Sequence, residues 1–222
     1  MPAPISVIIP TFNAAHSLPG CAAALFEGVE TGLIRELIVT DGGSSDETSE
    51  VADAIGAQVL EGPASRGGQL RRGCAEAKSD WLLILHADTQ LAKGWCGPVA
   101  AHLATRQAGW FRLRFDHGGA FVAGWANFRS RVFGLPYGDQ GLLIPRALYE
   151  HVGGYPDQPL MEDVALARAL SGHLRFIDVE ATTSAQKYRQ QGWLRRGTRN
   201  LVTLTRYFAG TDPKVLAQAY RK

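Results

Sequence analysis

Short apolar runs alternate with amphipathic segments through the first 85 residues, and this alternation restricts the possible folds more than any other feature. The apolar runs predict four strands, at residues 5–9, 36–40, 58–61 and 81–85. The segments between them predict three helices, at residues 17–26, 46–54 and 69–77. Strands joined by helices demand a mostly parallel sheet covered by helices. An α/β fold is therefore predicted.

The alternation becomes less regular beyond residue 90. Strands are predicted at residues 110–115, 142–144 and 174–179, and helices at residues 98–105, 121–133, 162–170, 192–209 and 213–220. Strict alternation along Trp110–Phe115 indicates a strand with one exposed face. Within the first half, Ser44 and Glu47 have the spacing of a capping box, which predicts a helix start next to them.

Polar residues follow three of the predicted strands directly. Asp41 and Asp88 each follow a buried strand, and the loop Pro10–Asn13 follows the first strand, which Pro10 is expected to stop. The carboxyl ends of parallel strands meet at one edge, where ligands bind in this architecture. If the extended backbone continues for two residues beyond Leu85, His86 and Asp88 point to the same side. Asp88 alone is equally well explained as a residue that ends the strand, so the shared edge is what indicates a ligand site.

Two common nucleotide-binding sites are not predicted, because the chain contains neither G-x-G-x-x-G nor a Walker A sequence. The 222 residues fit one domain with an appendage. Residues 186–222 contain nine Lys or Arg and one Asp, a net charge of +8, whereas the rest has 14 basic and 20 acidic residues, a net charge of −6. The basic segment indicates an anionic surface or ligand, and we expect no nucleic-acid partner.

Cys21, Cys74 and Cys96 lack the spacing of a disulfide framework or a zinc site. Reduced thiols are typical of a cytoplasmic protein. The first residues have no basic region followed by an apolar core, so no signal peptide is expected. No apolar run approaches the roughly 18 residues of a membrane span. These observations predict a cytoplasmic location.

Four motifs together resemble the family 2 glycosyltransferases with the GT-A fold. They are Ser6–Asn13 (SVIIPTFN), Ile38–Asp46 (IVTDGGSSD), His86–Asp88 (HAD) and Met161–Asp163 (MED), in the expected order and separation. The resemblance implies a mostly parallel central sheet flanked by helices, the nucleotide-diphospho-sugar transferase fold. A GT-A domain is expected over residues 1–185, with a basic helical C-terminal extension packed on it over residues 186–222.

Three shorter motifs suggest a narrower resemblance. Gly138–Gly141, Pro159–Val164 and Thr183–Ala185 look like the small bacterial glycosyltransferases associated with arsenosugar biosynthesis.

The family resemblance implies a nucleotide-binding side of the site. Pro10, Thr11 and Asn13 would lie against the nucleotide, and Asp41 would accept a hydrogen bond from the base. Arg66 is expected near the diphosphate, because a guanidinium binds phosphate oxygens bidentately. Two structural alternatives remain open: Asp41 belongs to a tight turn before a helix, and Arg66 is a solvated loop residue.

His86, Ala87 and Asp88 occupy the place of the family's DxD motif, with His instead of the first Asp. The resemblance implies that Asp88 binds a divalent cation, Mn²⁺ or Mg²⁺, together with two diphosphate oxygens and water. His86 and Ala87 are expected beside the donor. Whether His86 binds the metal, bonds the ribose or only packs is left open.

The acceptor side is expected from the second half of the chain. In the family the general base of an inverting transfer corresponds to Asp163, and Glu162, Tyr137, Asp139 and Gln140 are expected on the same side. Each has a structural alternative. Acidic residues are favoured at a helix start by its dipole, and Asp is common in Gly-rich turns.

The resemblance therefore implies a metal-dependent, inverting transfer of a sugar from a nucleoside diphosphate donor, with UDP favoured, to a hydroxyl-bearing acceptor. The alternatives are a non-catalytic sugar-nucleotide binding module and a nucleotidyltransferase on a related fold. The Gly-rich signature of nucleotidyltransferases is missing after Ile9, which counts against the latter. The QxxRW motif of processive relatives is also missing, so polymer extrusion is not expected.

The predicted helix at residues 192–209 is basic and partly apolar. Such a helix more often packs its apolar side on its own domain, but its composition also suits a membrane surface. We expect at most a weak, salt-sensitive contact with anionic lipid, peripheral at the inner membrane face.

Overall fold

The computed structural model describes residues 3–221, which form a single mixed β-sheet with helices on both faces. The predicted domain begins at residue 1 and the predicted extension ends at residue 222. Residues 1, 2 and 222 lie outside the described residues. The strands are β1 (Ile5–Thr11), β2 (Ile34–Asp41), β3 (Gln58–Glu61), β4 (Trp81–Ile84), β5 (Thr89–Leu91), β6 (Ala108–Phe115), β7 (Leu142–Pro145) and β8 (Leu174–Thr183). Their order across the sheet is β3-β2-β1-β4-β7-β6-β8-β5.

The helices follow the predicted positions, with two short additions. They are α1 (Leu18–Glu30), α2 (Thr48–Ala54), α3 (Arg66–Glu76), α4 (Cys96–Leu103), α5 (Ala120–Phe133), α6 (Arg146–His151), α7 (Glu162–Ala169), α8 (Gln186–Gln191), α9 (Trp193–Phe208) and α10 (Pro213–Arg221). A 3₁₀ turn spans Gly138–Gln140. The strand β5 and the helices α6 and α8 were not predicted, because segments of three to six residues are too short to show a period.

The predicted parallel arrangement is confirmed in the first half of the chain, where β3, β2, β1 and β4 pair parallel to one another. In the second half β7 runs antiparallel to both β4 and β6, whereas β8 runs parallel to β6. β5 pairs antiparallel with the far edge of β8. The GT-A-like arrangement of an α/β sheet flanked by helices is therefore confirmed.

Central strand β1 is buried on both faces. Val7 and Ile9 belong to the apolar cluster on one face of the sheet, and Ile8 belongs to the cluster on the other face. All three side chains are fully buried. A continuous apolar run is what such a strand requires, because alternate side chains enter different cores.

The prediction that Pro10 stops β1 is wrong, since the strand continues to Thr11. Pro10 lies opposite Thr40 of β2 in the parallel register. The carbonyl of Ile8 accepts a hydrogen bond from the N–H of Leu85, so the backbone of Ile8 faces the β4 side. Pro10 lies two residues further on and faces the same side, but the pairing of β1 with β4 already ends at Ile8. The N–H that proline lacks therefore costs no ladder bond.

The C-terminal helices pack on α7. Leu204 of α9 and Leu216 of α10 share a buried cluster with Met161 and Val164 at the start of α7. Leu204 and Leu216 therefore anchor α9 and α10 beside α7, and the division into a domain and a C-terminal extension stays a prediction. Within residues 3–221, no helix combines the length and the hydropathy needed to cross a bilayer.

Candidate active site

The ends of β1 and β2 are joined side chain to side chain at the carboxyl edge of the sheet. Thr11 lies opposite Asp41 in the register, and Thr11 Oγ1 donates a 2.9 Å hydrogen bond to Asp41 Oδ1. Gln69 of α3 lies behind both strands, and its amide donates to the carbonyls of Thr11 and Thr40 at 2.7 and 2.8 Å. These contacts hold the first predicted nucleotide-binding residues at one place.

Asp41 accepts hydrogen bonds on both carboxylate oxygens. Besides Thr11, Ser44 donates through its hydroxyl at 2.6 Å and its N–H at 2.6 Å, and Gly43 N–H donates at 2.8 Å. Burial acts to raise the pKa of Asp41, but these hydrogen bonds together lower it. Asp41 therefore shapes the loop that follows β2, as the turn interpretation expects, and its hydrogen bond to a base remains a prediction.

The capping box predicted at Ser44 and Glu47 does not form. α2 begins at Thr48 with no side-chain cap, and the Ser44 hydroxyl is bonded to Asp41 instead. Ser44 also accepts a hydrogen bond from the N–H of Asn13 at 2.7 Å, and Asn13 Oδ1 accepts from Ser45 N at 2.8 Å. Asn13 has a positive φ of 50°, an uncommon conformation that these bonds stabilise.

Arg66 is the first residue of α3, capped by the Ser65 side chain. Its Nε lies 3.4 Å from Glu162 Oε1, and its Nη2 lies 2.8 Å from His86 Nε2. Burial acts to lower the pKa of Arg66, but the Glu162 and Asp163 carboxylates raise it. Arg66 thus begins a helix and is paired rather than lying free in a loop, although 43% of its side chain is exposed to solvent. One guanidinium connects the segment after β4 with the start of α7.

A glycine allows the start of α3 to lie against the loop that precedes α7. A Cβ on Gly67 would collide with the Pro156 carbonyl oxygen, and Gly67 N–H donates to the Gln158 carbonyl at 3.1 Å. Arg66 is consequently held within reach of Glu162 by backbone contact as well as by charge.

His86 is neutral and accepts from Arg66. Because a guanidinium only donates, Nε2 of His86 must be the acceptor and the ring proton must lie on Nδ1. Burial and the charge of Arg66 lower the pKa of His86 well below its ordinary value. The Nε2 lone pair is therefore engaged by Arg66 rather than free. His86 also packs against Gly138, where a Cβ would collide with Nε2.

The extended backbone assumed for His86–Asp88 is not observed. β4 ends at Ile84, and a turn closed by the 3.0 Å bond from Thr89 N to His86 O places Asp88 just before β5. The side chain of Ala87 is buried in the core, so only its backbone can face a ligand. Asp88 is half-buried, and its charge acts on the pKa of Cys21, Asp139 and Lys187.

Asp163 lies in the first turn of α7 and is half-buried. Its Oδ2 accepts a 2.8 Å hydrogen bond from Gly138 N–H, and its Oδ1 accepts from Val164 N–H at 2.7 Å. The preceding Met161 has a positive φ of 65° and turns the chain into the helix. The structure thus brings Asp163 to the Tyr137–Gln140 turn, 25 residues earlier in the chain.

Glu162 is buried, with a residue exposure of 1%. Its Oε2 has no hydrogen-bond partner among the described residues. Burial raises the pKa of Glu162 to about 7, with Asp163 adding to the shift and Arg66 opposing it. An unpartnered, buried carboxylate oxygen beside Asp163 is a group that a sugar or acceptor hydroxyl could satisfy.

Asp139 has a similar environment. Its Oδ1 is buried without a partner among residues 3–221. Burial raises the pKa of Asp139 to about 6, with Asp163 and Asp88 adding to the shift and Arg129 opposing it. The charges of Asp163 and Asp88 thus both act on Asp139, and its role on the acceptor side stays a prediction.

Gln140 differs from its expected place on the acceptor side, because it is fully buried. Its Oε1 accepts a 2.6 Å bond from Ser130 Oγ, and its Nε2 donates to Asn127 Oδ1 at 3.2 Å. Tyr137 is half-buried, with the Arg129 guanidinium 3.5 Å above its ring centre. Gln140 thus fixes the turn, whereas Tyr137 and Asp139 remain candidates for contact.

Several residues at the site carried no clear signal in the sequence. Gln69 and Arg129 hold the loops described above, yet neither lies in a recognisable motif. Lys187, in α8, is exposed, and its charge acts together with those of Asp88 and Arg66, but no direct contact joins it to them among the described residues. Phe12 had a signal that was overlooked: it is an aromatic residue in a polar strand-end loop, and it is 58% exposed.

The side chains that could coordinate a metal ion suit a cation that is held jointly by the protein and a bound ligand. Residues 3–221 contain no group of three or more His, Cys, Asp or Glu side chains that could hold a metal ion. With His86 Nε2 occupied, the protein offers the Asp88 carboxylate. Mg²⁺ or Mn²⁺ can be held by one carboxylate when phosphate oxygens and water complete the coordination.

Comparison with known proteins identifies the sequence family. The model described as "Glycosyl transferase family 2" matches residues 6–142, more than half of the chain. This match includes Thr11, Asp41 and Asp88 but ends before Asp163.

Two relatives illustrate the similarity. The PGL/p-HBAD biosynthesis glycosyltransferase of Mycobacterium tuberculosis is 35% identical over 172 residues, covering 70% of this chain and 64% of the relative. The chain thus spans less than two thirds of that relative's length. Glycosyltransferase AglD of Haloferax volcanii is 32% identical over 98 residues, covering 40% of this chain and 15% of the relative. Neither relative supports the narrower arsenosugar resemblance, which is not confirmed.

Two solved structures share the fold. Glucosyl-3-phosphoglycerate synthase from Mycobacterium tuberculosis, crystallised with Mn²⁺, UDP and glucosyl-3-phosphoglycerate, has a TM-score of 0.58 at 21% identity, covering 81% of this chain and 71% of that one. Residues 1–349 of TarS from S. aureus have a TM-score of 0.67 at 14% identity, covering 90% of this chain and 64% of that one. At these identities the likeness concerns the fold.

Proposed function

The chain belongs to glycosyl transferase family 2, and we propose that it transfers a sugar from a nucleoside diphosphate donor to an acceptor hydroxyl with inversion. The observation that carries this proposal is the position of Arg66. Its guanidinium contacts both His86, beside the predicted metal ligand, and Glu162, beside the predicted base. Donor-side and acceptor-side groups therefore lie within one side chain's reach at the carboxyl edge of the sheet.

The donor nucleotide would occupy the edge formed by Pro10, Thr11, Asn13 and Asp41. The hydrogen bond from Thr11 to Asp41, and those of Asn13 with Ser44 and Ser45, hold the two strand-end loops together before any ligand binds. The exposed ring of Phe12 offers a surface on which a base can stack. A UDP-sugar is the donor we favour, because TarS and glucosyl-3-phosphoglycerate synthase have been crystallised with UDP.

Asp88 would hold Mn²⁺ or Mg²⁺ jointly with the donor diphosphate. When bound, the cation offsets the negative charge that develops on the departing diphosphate. Arg66, which stays cationic, adds to this stabilisation from the side of α3. His86 contributes by orienting Arg66 rather than by binding the cation through Nε2.

Asp163 would act as the general base. As the acceptor oxygen forms its bond to the anomeric carbon, the bond from that carbon to the diphosphate oxygen breaks on the opposite face, and the hydroxyl proton passes to the carboxylate. Attack from the opposite face inverts the configuration. The hydrogen bonds from Gly138 and Val164 fix the orientation of this carboxylate.

An assay of donor hydrolysis and transfer tests the proposal. The purified protein is incubated with UDP-, GDP- and dTDP-sugars in the presence of Mn²⁺, and release of the nucleoside diphosphate is measured. We expect turnover with one nucleotide class, and NMR of the product's anomeric proton should show inversion. Tight donor binding without any turnover, with or without simple hydroxyl acceptors, would instead identify a non-catalytic binding module.

A further inference from the structure

The outer face of α5 is an exposed aromatic stripe. Phe121, Trp125, Phe128 and Val132 are 86%, 47%, 52% and 56% exposed. Their spacing of four, three and four residues places them on one side of the helix. The rings of Trp125 and Phe128 stack with their centres 5.9 Å apart. Globular domains rarely expose a contiguous apolar stripe of this kind, and such a stripe marks a surface that binds another molecule or a membrane.

A second stripe lies on α9. Leu194, Leu201, Val202 and Phe208 are 83%, 51%, 50% and 47% exposed. They lie near one side of the helix, whereas its buried residues, Thr203 and Leu204, face the domain. α9 therefore has apolar side chains on its solvent side in addition to the side that packs on α7.

The two stripes begin next to each other. Trp193, the first residue of α9, lies against Gly119, where a Cβ would collide with the indole ring. The Trp193 ring also contacts Phe115, with ring centres 5.1 Å apart. Phe121 and Leu194, the most exposed residues of the two stripes, follow directly after this contact. We call the eight stripe residues together the aromatic-basic face.

The charged side chains of these two helices are all basic. α5 and α9 together contain six arginines and no Asp or Glu, although Arg129 is buried on the inner side of α5. Arg131, Arg195 and Arg206 are exposed beside the apolar side chains. Aromatic and aliphatic side chains flanked by arginine are typical of helices that lie in the interface of an anionic membrane.

We propose that the aromatic-basic face docks on the surface of an anionic lipid bilayer, with α5 and α9 lying in the headgroup region. This goes beyond the proposed function, since it does not depend on which reaction the site performs. It also adds α5 to the C-terminal helix from which sequence alone predicted a weak lipid contact. A second copy of the chain is a poorer occupant, because a symmetric interface would bring the arginines of both copies together.

The docking face and the acceptor side of the site share one helix. On the inner side of α5, Arg129 donates to the Leu135 carbonyl at 3.0 Å, and Ser130 donates to Gln140. These bonds hold the turn that carries Asp139. A bilayer on the outer side of α5 would therefore lie next to the part of the site where an acceptor is expected.

Vesicle flotation with the full chain tests the proposal. Vesicles of phosphatidylcholine alone are compared with vesicles that also contain phosphatidylglycerol, at low and high salt. We expect flotation with the anionic vesicles at low salt and its loss at high salt, since exposed charges are screened. Wild-type protein that stays with the unbound fraction on anionic vesicles at low salt would overturn the proposal.

Variants distinguish docking through this face from nonspecific hydrophobic adsorption to vesicles. The double variant Phe121→Ser/Trp125→Ser should lower the partition coefficient roughly tenfold or more, because burying an aromatic side chain contributes well over one tenfold step. The matched control is Phe26→Ser, which removes a 60% exposed aromatic residue from α1 and should bind like wild type. Far-UV circular dichroism and thermal melts establish that each variant is folded. Equal binding by the double variant and the control would refute docking through α5.

A charge variant and a mass measurement complete the test. Arg195→Gln/Arg206→Gln should reduce binding to anionic vesicles roughly 25-fold, since each arginine near such a surface contributes about fivefold. Light scattering should show the same mass for wild type and Phe121→Ser/Trp125→Ser. A wild-type dimer that this double variant converts to a monomer would assign the face to a second copy instead.

Discussion

The backbone N–H of Gly138 donates a 2.8 Å hydrogen bond to Asp163 Oδ2. This bond connects the turn before β7 with the first turn of α7, so the position of the predicted base depends on the conformation of a loop distant in sequence. Val164 N–H occupies the other carboxylate oxygen. Each oxygen accepts one bond from the backbone and retains a second lone pair with which to receive a proton.

Asp163→Asn should lower the rate of glycosyl transfer by roughly 10²- to 10⁴-fold, because an amide cannot accept the acceptor proton. Donor affinity, measured by calorimetry, should stay near wild type. The amide offers one acceptor oxygen to two backbone donors, so one hydrogen bond is lost and the free energy of unfolding should fall by about 1 kcal/mol. Near-normal turnover would move the base elsewhere, with Asp139 the next candidate.

Glu162→Gln is the control for that variant and should lose much less in kcat. Its effect should fall on donor affinity, because the ion pair that orients Arg66 becomes a weaker, neutral contact. Steady-state kinetics with varied donor should therefore show a raised KM. A kcat loss larger than that of Asp163→Asn would exchange the roles of the two carboxylates.

Stability should depend on pH through Glu162. Its pKa is raised from 4.5 to about 7, so between these values the folded state binds more protons than the unfolded state. The stabilising contribution is complete below pH 4.5 and is lost as pH rises to about 7. Urea unfolding should show that, as pH rises from 4.5 to about 7, the free energy of unfolding of wild type falls by on the order of 3 kcal/mol more than that of Glu162→Gln. Parallel pH profiles for the two proteins would contradict the raised pKa.

Asp88→Ala should abolish the metal-dependent part of donor binding. In wild type, donor nucleotide at 100 times its dissociation constant should add about 2.7 kcal/mol of stability, and only when Mn²⁺ or Mg²⁺ is present. Thermal-shift measurements with and without the cation separate the two contributions. An unchanged metal-dependent shift in the variant would show that Asp88 is not the ligand.

Gly138→Ala should disturb the donor side through His86. The added Cβ would collide with His86 Nε2, so the imidazole must move and Arg66 loses its 2.8 Å contact. We expect donor affinity to fall roughly tenfold, equivalent to about 1.4 kcal/mol. Gly97→Ala, in α4, is the matched control, because its Cβ would meet no atom within 4 Å. Equal donor affinity in both variants would mean that His86 does not position Arg66.

The buried strands were predictable because a run of apolar residues has few alternatives in an α/β chain. β3 spans the predicted residues 58–61, and β1, β2 and β4 differ from their predictions by one or two residues at an end. Prediction failed where two local interactions competed. Ser44 has capping-box spacing to Glu47, but its backbone N–H donates to Asp41 and its hydroxyl oxygen accepts from the N–H of Asn13, so both groups that a capping box needs are engaged elsewhere.

The predicted site residues were mostly brought together, but their individual roles depend on contacts between distant segments. Gln140 was expected on the acceptor side, and only its hydrogen bonds with Asn127 and Ser130 of α5 explain why it is buried instead. The pairing of Arg66 with Glu162 crosses 96 positions of sequence, so no local pattern announces it. A helix start at Arg66 did have a local signal in Ser65, its N-cap.

Arg66 is immobilised before a donor arrives. The rotamer entropy of a free arginine side chain corresponds to about 2 kcal/mol, and it is lost when the guanidinium binds a phosphate in one fixed geometry. Here Glu162 and His86 already restrict the guanidinium, so much of that entropy has been given up during folding. A donor diphosphate bound at Arg66, as proposed above, would therefore meet a cation that needs little further ordering, and its affinity would gain from the stability of the fold itself.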